Sequence, residues 1–129
     1  MPRTFFLAAA LSAAIAIPAQ AQNSPEFDTC MGQAQGVSSK MLDCGHAEIG
    51  KWDRRLNSAY QTLLKRQKGA AGAKLQRQQR NWLKHHLRET ERLAADPNNG
   101  SVAFLDSQAF ELDDLSSRTL ELEKRVRGN

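Results

Sequence analysis

Beyond its N-terminus the chain has no long apolar run, and it holds only two cysteines, two tryptophans and one tyrosine in 129 residues. The missing apolar run excludes a membrane-spanning helix after the first two dozen residues. Two cysteines are too few for a disulfide-rich scaffold or a four-cysteine zinc site. Alternating apolar and polar residues are nearly absent, which argues against a sheet. The sequence contains no Gly-rich phosphate loop, no Cys-x-x-Cys-His haem attachment, no EF-hand loop and no Gly-x-Ser-x-Gly turn. No catalytic residue, cofactor or metal is therefore expected.

What is present begins with a leader. Arg3 is followed by an apolar run from Phe5 to Ile17, then Pro18 and Ala19-Gln20-Ala21. A small positive region, a short apolar stretch and an A-x-A site together predict a secretory signal peptide over residues 1–21, cut before Gln22. Removing those 21 of the 129 residues leaves 108, the length of one small domain. The expected order is signal peptide 1–21, N-terminal segment 22–37, helical domain 38–126 and tail 127–129. The product is exported, periplasmic or secreted. No lipid anchor is expected, because Cys30 stands behind Phe27-Asp28-Thr29 rather than a small-residue lipobox. In an oxidising compartment Cys30 and Cys44 read as a disulfide. Its loop of about 15 residues is worth roughly 3 kcal/mol in the chain-entropy picture. The competing reading is a metal pair completed by His46, which lacks the four close ligands of a structural site.

Charge is segregated along the chain. Residues 22–50 carry a net −3, residues 51–92 a net +9 and residues 93–129 a net −3. A basic middle between acidic ends suits either an anionic partner or helices that neutralise one another. Nucleic acid is not expected of an exported chain with six aromatics after residue 21 and no recognition motif.

Apolar residues recur at spacings of three and four. Met41, Cys44, Ala47, Trp52, Leu56, Ala59, Tyr60, Leu63 and Leu64 predict a first long helix from Lys40 towards Arg66, capped by Ser38 or Ser39. Gly45 and Gly50 are candidate kinks in it. After Gly69-Ala70-Ala71-Gly72, the second helix covers about Ala73 to Ala95. Asp96-Pro97-Asn98-Asn99-Gly100 ends it. The third runs from Ser101 or Asn99 to about Val126, with Val102, Leu105, Ala109, Leu112, Leu115, Ser116, Thr119, Leu122 and Val126 inward. Short turns make consecutive helices antiparallel. The expected fold is all-α: a small antiparallel bundle of three long helices, with the N-terminal segment stapled to it by the disulfide.

Asp53, Leu56, Asn57 and Tyr60 stand at offsets 0, 3, 4 and 7, so they share a helical face. The reading is a partly buried polar layer that fixes helix register, with Arg118 and Gln79 as donors. His85 and His86 are adjacent and point about 100° apart, so they do not form a pair. Glu48 with Asp53, or Asp113 with Asp114, read as solvated carboxylates, because a narrow bundle offers no cleft for a sugar between them.

The order Cys30, Cys44, Asp53-x-x-Leu56-Asn57-x-x-Tyr60, Gln79-x-x-Trp82, Gly100-Ser101 and Arg118 resembles the exported DUF1311 family, the LprI N-terminal domain-like lysozyme inhibitors. The resemblance runs from Cys30 to about Leu122. It implies a non-catalytic helical binding protein, and inhibition of lysozyme or another cell-wall hydrolase. The sequence departs from the family pattern twice. Members carry a second cysteine pair where this chain has Thr90 and Phe110 or a neighbour, so the second and third helices must hold by packing. Members also have an Arg after the Trp, where this chain has His85-His86.

Two kinds of partner follow. A basic hydrolase needs an acidic surface, and the third helix offers Asp106, Glu111, Asp113 and Asp114. Anionic envelope polymer or lipid head groups would instead use the basic first and second helices, above all Arg77, Arg80, Lys84 and Arg88.

Overall fold

A computed structural model describes residues 23–128. The expected leader, residues 1–21, lies outside the described residues. Four α-helices follow in order: α1 Pro25–Ala34, α2 Ser38–Arg66, α3 Gly69–Ala94 and α4 Val102–Val126. No helix among the described residues is long and apolar enough to cross a membrane. The all-helical class is as expected, but the described residues form four helices rather than three.

The added helix is the N-terminal segment. Ser24 caps it by accepting from the Phe27 N–H at 3.2 Å, Pro25 takes the first turn, and Glu26 and Asp28 face the positive end of the helix dipole. Ser-Pro-Glu is a readable start signal, but the segment offers only ten residues and one fully buried side chain, Ala34. Gln35 and Gly36 end it with positive φ. The Cys30–Cys44 disulfide joins it to α2.

Side-chain pairings fix the directions. Cys30 meets Cys44 and Ser24 meets Glu48, so α1 and α2 are antiparallel. Gln108 meets Leu42, Thr119 meets Trp52 and Arg55 meets Glu123, so α4 runs parallel to α2. Gln79 meets Arg118 and Thr90 meets Ser107, so α3 opposes α4. The helices α2 and α4 form the central pair. Outside it, α1 rests on α2, α3 rests on α4, and α2 and α3 barely touch.

The core lies between the central pair. Trp52, Leu56, Ala59 and Leu63 of α2, at spacings of four and three, meet Leu112, Leu115 and Leu122 of α4, with Leu75 of α3 closing one side. The helix α2 runs unbroken through both glycines. Gly45 serves close approach instead: the Gln108 side chain lies where a Cβ would stand and donates to Leu42 O at 2.9 Å. Gly69 to Gly72 are helical rather than a break, and Gly72 is required because a Cβ there would meet Gln67 O at 2.5 Å.

Candidate protein-binding face

Five contacts hold α1 and its cap to α2, and together they shape a surface. Besides the disulfide, the buried Glu48 carboxylate accepts from the Ser24 N–H at 2.8 Å and from its hydroxyl at 2.6 Å. Burying a carboxylate is costly without such donors. Lys51 Nζ donates to Ser24 Oγ at 3.1 Å and bridges to Glu26 at 3.3 Å. Its own backbone N–H and then the Lys51 ammonium hold Glu26 below the usual carboxylate range. Glu48 is thus a buried helix tie and not a solvated acid, a role that spacing within one helix could not reveal.

Held in this way, α1 makes no close backbone contact with α4 among the described residues. A groove of about 420 Å³ lies between them. Phe27 and Met31 of α1, Met41 of α2, and Leu105, Ala109 and Leu112 of α4 supply its apolar lining. Asn23, Gln108, Ser116 and two aspartates, Asp106 and Asp113, add the polar part of the lining, and both aspartates are exposed. Seven residues apart, they stand on one side of α4, about 10.5 Å apart along its axis. Asp106 accepts a long hydrogen bond from Asn99 Nδ2 at 3.4 Å. Neither aspartate has a Lys or Arg within ion-pair distance among the described residues.

The expected acidic set therefore divides. Asp106 and Asp113 come together at the groove, while Glu111 and Asp114 do not line it. Asp114 is not a solvated acid: it accepts from His86 Nδ1 at 2.6 Å, and His86 is buried on α3. The His86 ring stacks against Trp82 at 4.9 Å and lies 6.1 Å from Phe110. His85, one residue away, is exposed. The partner of His86 is 28 residues distant in the chain, so spacing within one helix does not reveal the pair.

The polar-layer expectation fails at two of its residues. Asp53 and Asn57 are exposed, and Asn57 Nδ2 donates to Asp53 Oδ2 at 3.4 Å. The buried stripe of α2 runs through Trp52, Leu56, Ala59 and Leu63. Asp53, Asn57 and Tyr60 each follow a stripe position and so are turned about 100° from it. Leu56 is the buried member of the motif, and Tyr60 packs half-buried against the core. Arg118 and Gln79 pair with each other, Nε to Oε1 at 3.0 Å, across α4 and α3. Arg118 Nη1 also donates to Glu121 at 2.8 Å.

Cations are split in a similar way. Arg55 reaches Glu123 with two bonds, at 2.9 and 2.7 Å, and lies 4.2 Å from the Trp52 ring centroid. The Glu123 hydrogen bonds raise its already high pKa. Arg66 donates to Val126 O at 2.6 Å. On α3, Arg77, Arg80, Lys84 and Arg88 are exposed, with no carboxylate within ion-pair distance among the described residues. Arg88 has only a 3.3 Å contact to His85 Nδ1. Beside them Leu83 and Leu87 are about half exposed. No group of three metal-ligating side chains occurs among the described residues.

Comparison with known proteins gives one finding. The family pattern described as lysozyme inhibitor LprI matches residues 30–122, which includes both cysteines, the α2 motif, Gln79, Trp82 and Arg118. No curated protein and no solved structure matches the chain.

Proposed function

The chain belongs to the LprI lysozyme-inhibitor family, and from that premise we propose that it is an exported, non-catalytic protein that binds and blocks a lysozyme-type cell-wall hydrolase. The observation that carries this reading is the family match, which spans the disulfide and three of the four helices completely or nearly so. The charge distribution supports it. Residues 51–92 carry the excess of positive charge, which would repel a basic enzyme if it were spread evenly. In the fold, Lys51 and Arg55 are neutralised by Glu26, Glu48 and Glu123. Lys40, Arg54 and Lys65 of α2 are exposed and without an ion-pair partner among the described residues, but the four-cation stripe Arg77, Arg80, Lys84 and Arg88 sits on α3, and α1 lies on the other flank of the central pair. A basic partner can approach the α1 flank without meeting that stripe, and opposite charge speeds that encounter.

The test is direct. Residues 22–129, purified in oxidised form, should inhibit a cationic lysozyme at low salt, and the inhibition should weaken at high salt as exposed charges are screened. Undiminished lysozyme activity with excess protein at low salt rules the reading out.

A second reading has its own observation. The unpaired stripe Arg77, Arg80, Lys84 and Arg88, flanked by exposed Leu83 and Leu87, fits anionic envelope polymer or lipid head groups. Salt-sensitive sedimentation with peptidoglycan or anionic vesicles, lost on Arg80→Glu with Lys84→Glu, separates it from the first.

A further inference from the structure

We infer that the groove between α1 and α4 is the partner-recognition site, and that it takes an apolar side chain flanked by two basic residues of a protein partner. This rests on the reading of the chain as a hydrolase-binding protein and specifies where and how binding occurs. Three observations lead to it.

The groove has the size and lining of a recognition site. At about 420 Å³ it falls in the range of specific pockets, roughly 300–1,000 Å³. Phe27, Met31 and Met41 bring flexible or polarisable apolar surface that adapts to an inserted side chain. It is also built in advance. The disulfide and the Glu48–Ser24 bonds fix α1, so the opening costs little to form when a partner arrives.

Charge chooses the occupant. Asp106 and Asp113 line the same groove, exposed and without a Lys or Arg within ion-pair distance among the described residues. Of the other acids on α1 and α4, Glu26 pairs with Lys51, Asp114 with His86, Glu121 with Arg118 and Glu123 with Arg55, while Asp28 and Glu111 have no cation within ion-pair distance among the described residues and do not line the groove. An apolar floor with two free carboxylates selects an apolar side chain between cations. The axial separation of Asp106 and Asp113, about 10.5 Å, is within reach of long basic side chains four residues apart on an extended segment, about 13 Å at roughly 3.3 Å per residue, which share one face with the residue midway between them. The loop of a cationic hydrolase carrying such a segment would be held by the groove and kept from its own substrate.

The experiment uses residues 22–129 in oxidised form, a cationic lysozyme, and the peptide acetyl-Gly-Arg-Ser-Leu-Ser-Arg-Gly-amide with a control in which Gln replaces both Arg. The variants are Asp106→Asn with Asp113→Asn, Ala109→Trp to fill the groove from an exposed helical position, and Arg77→Glu with Arg80→Glu on the far helix. Melting curves confirm that each remains folded. Neutralising the two carboxylates should weaken lysozyme binding about tenfold, as two exposed ion pairs are lost. Filling the groove should weaken it at least as much, and the α3 variant should not weaken it. Amide shifts on adding the Arg peptide should centre on Met31, Leu105 and Ala109, and be absent with the Gln control.

Lysozyme binding that is unchanged in both groove variants overturns the site while the hydrolase reading stands. Failure of the unaltered protein to bind lysozyme defeats that reading, and the peptide then decides the groove alone. Shifts that fall elsewhere, or that persist in Ala109→Trp, overturn the groove as well.

Discussion

The two outer helices are attached to the central pair by different means. The short helix α1 buries little of itself and is fastened to α2 by the disulfide and by the Glu48 carboxylate at its N-terminus. The longer helix α3 has no covalent tie. It lies on α4 through a ladder of hydrogen bonds: Gln79 with Arg118, His86 with Asp114, and the Thr90 carbonyl with Ser107 Oγ at 2.7 Å. The last rung is informative, because it lies where the family resemblance implies a second cysteine pair, near Thr90 and Phe110. Here a hydroxyl bond and the Phe110–His86 contact occupy that region. A ten-residue helix cannot gain enough from packing and needs a covalent constraint. One of 26 residues spreads its attachment over several turns.

The largest break in this comparison is expected at Leu75, the leucine of α3 that lies in the core with no exposure. Leu75→Ala should cost about 3–4 kcal/mol, the usual price of a buried leucine with its cavity. Denaturant melts should show the loss in midpoint with little change in slope. A cost under about 1 kcal/mol would mean that the ladder, not the core, secures α3.

Next comes the staple. Cys44 follows Cys30 at a sequence separation of 14, so replacing both with Ala should cost about 3 kcal/mol. For a domain of this size that lowers Tm by roughly 10 °C or more. Because α1 supplies Phe27 and Met31 to the groove, the same variant should lose partner binding before it loses the α2–α4 core. Hydrogen exchange that rises in residues 25–34 while Leu56 and Leu122 stay protected is the expected signature.

A smaller effect isolates the ladder. Asp114→Ala leaves His86 Nδ1 buried without its acceptor, which should cost about 1–3 kcal/mol. Asp114→Asn keeps an acceptor oxygen and should recover part of the loss. Equal melting of both variants with the parent would show that the rung adds nothing to packing.

The same contrast explains what could be read from the amino acids. Helical spacing at Trp52, Leu56, Ala59, Leu63, Leu112, Leu115 and Leu122 marks a core because each residue's burial follows from its own helix. The disulfide was equally legible, since its partners were the two cysteines present. Partnerships between helices were not. Asp114 looked like part of an acidic surface because its histidine lies on another helix. Asp53 and Asn57 looked inward because offsets of 0, 3, 4 and 7 identify a shared face without saying which way it points; both are exposed. The start of α1 was written in Ser24-Pro25-Glu26, but ten residues without a clear apolar stripe gave no periodicity to support it. Asp106 and Asp113 were legible as acids, whereas the groove between them needs α1 in place.

The smallest expected effect concerns the surface part of the α1 attachment and shows its dependence on pH. Glu26 is held below its ordinary pKa of 4.5 by its own backbone N–H and by Lys51. A carboxylate with a lowered folded-state pKa stabilises the fold only while ionised. Its contribution is complete above the unfolded-state value and disappears as pH falls through the lower folded-state value. The relevant window therefore lies below about 4.5, and neutral pH lies on its plateau. Glu26→Gln removes the ionised form, so the variant should melt slightly below the parent at pH 7, and the gap should close as both are acidified. The exposed position of Glu26 keeps the gap small, because solvent screens the pair. Buried contacts at Glu48 and the disulfide should hold α1 when Lys51 and Glu26 are uncoupled. Melting the two proteins side by side from pH 7 to pH 3 provides the check. A gap that widened on acidification would have the wrong sign for this pair and would move the pH-sensitive tie of α1 to another group.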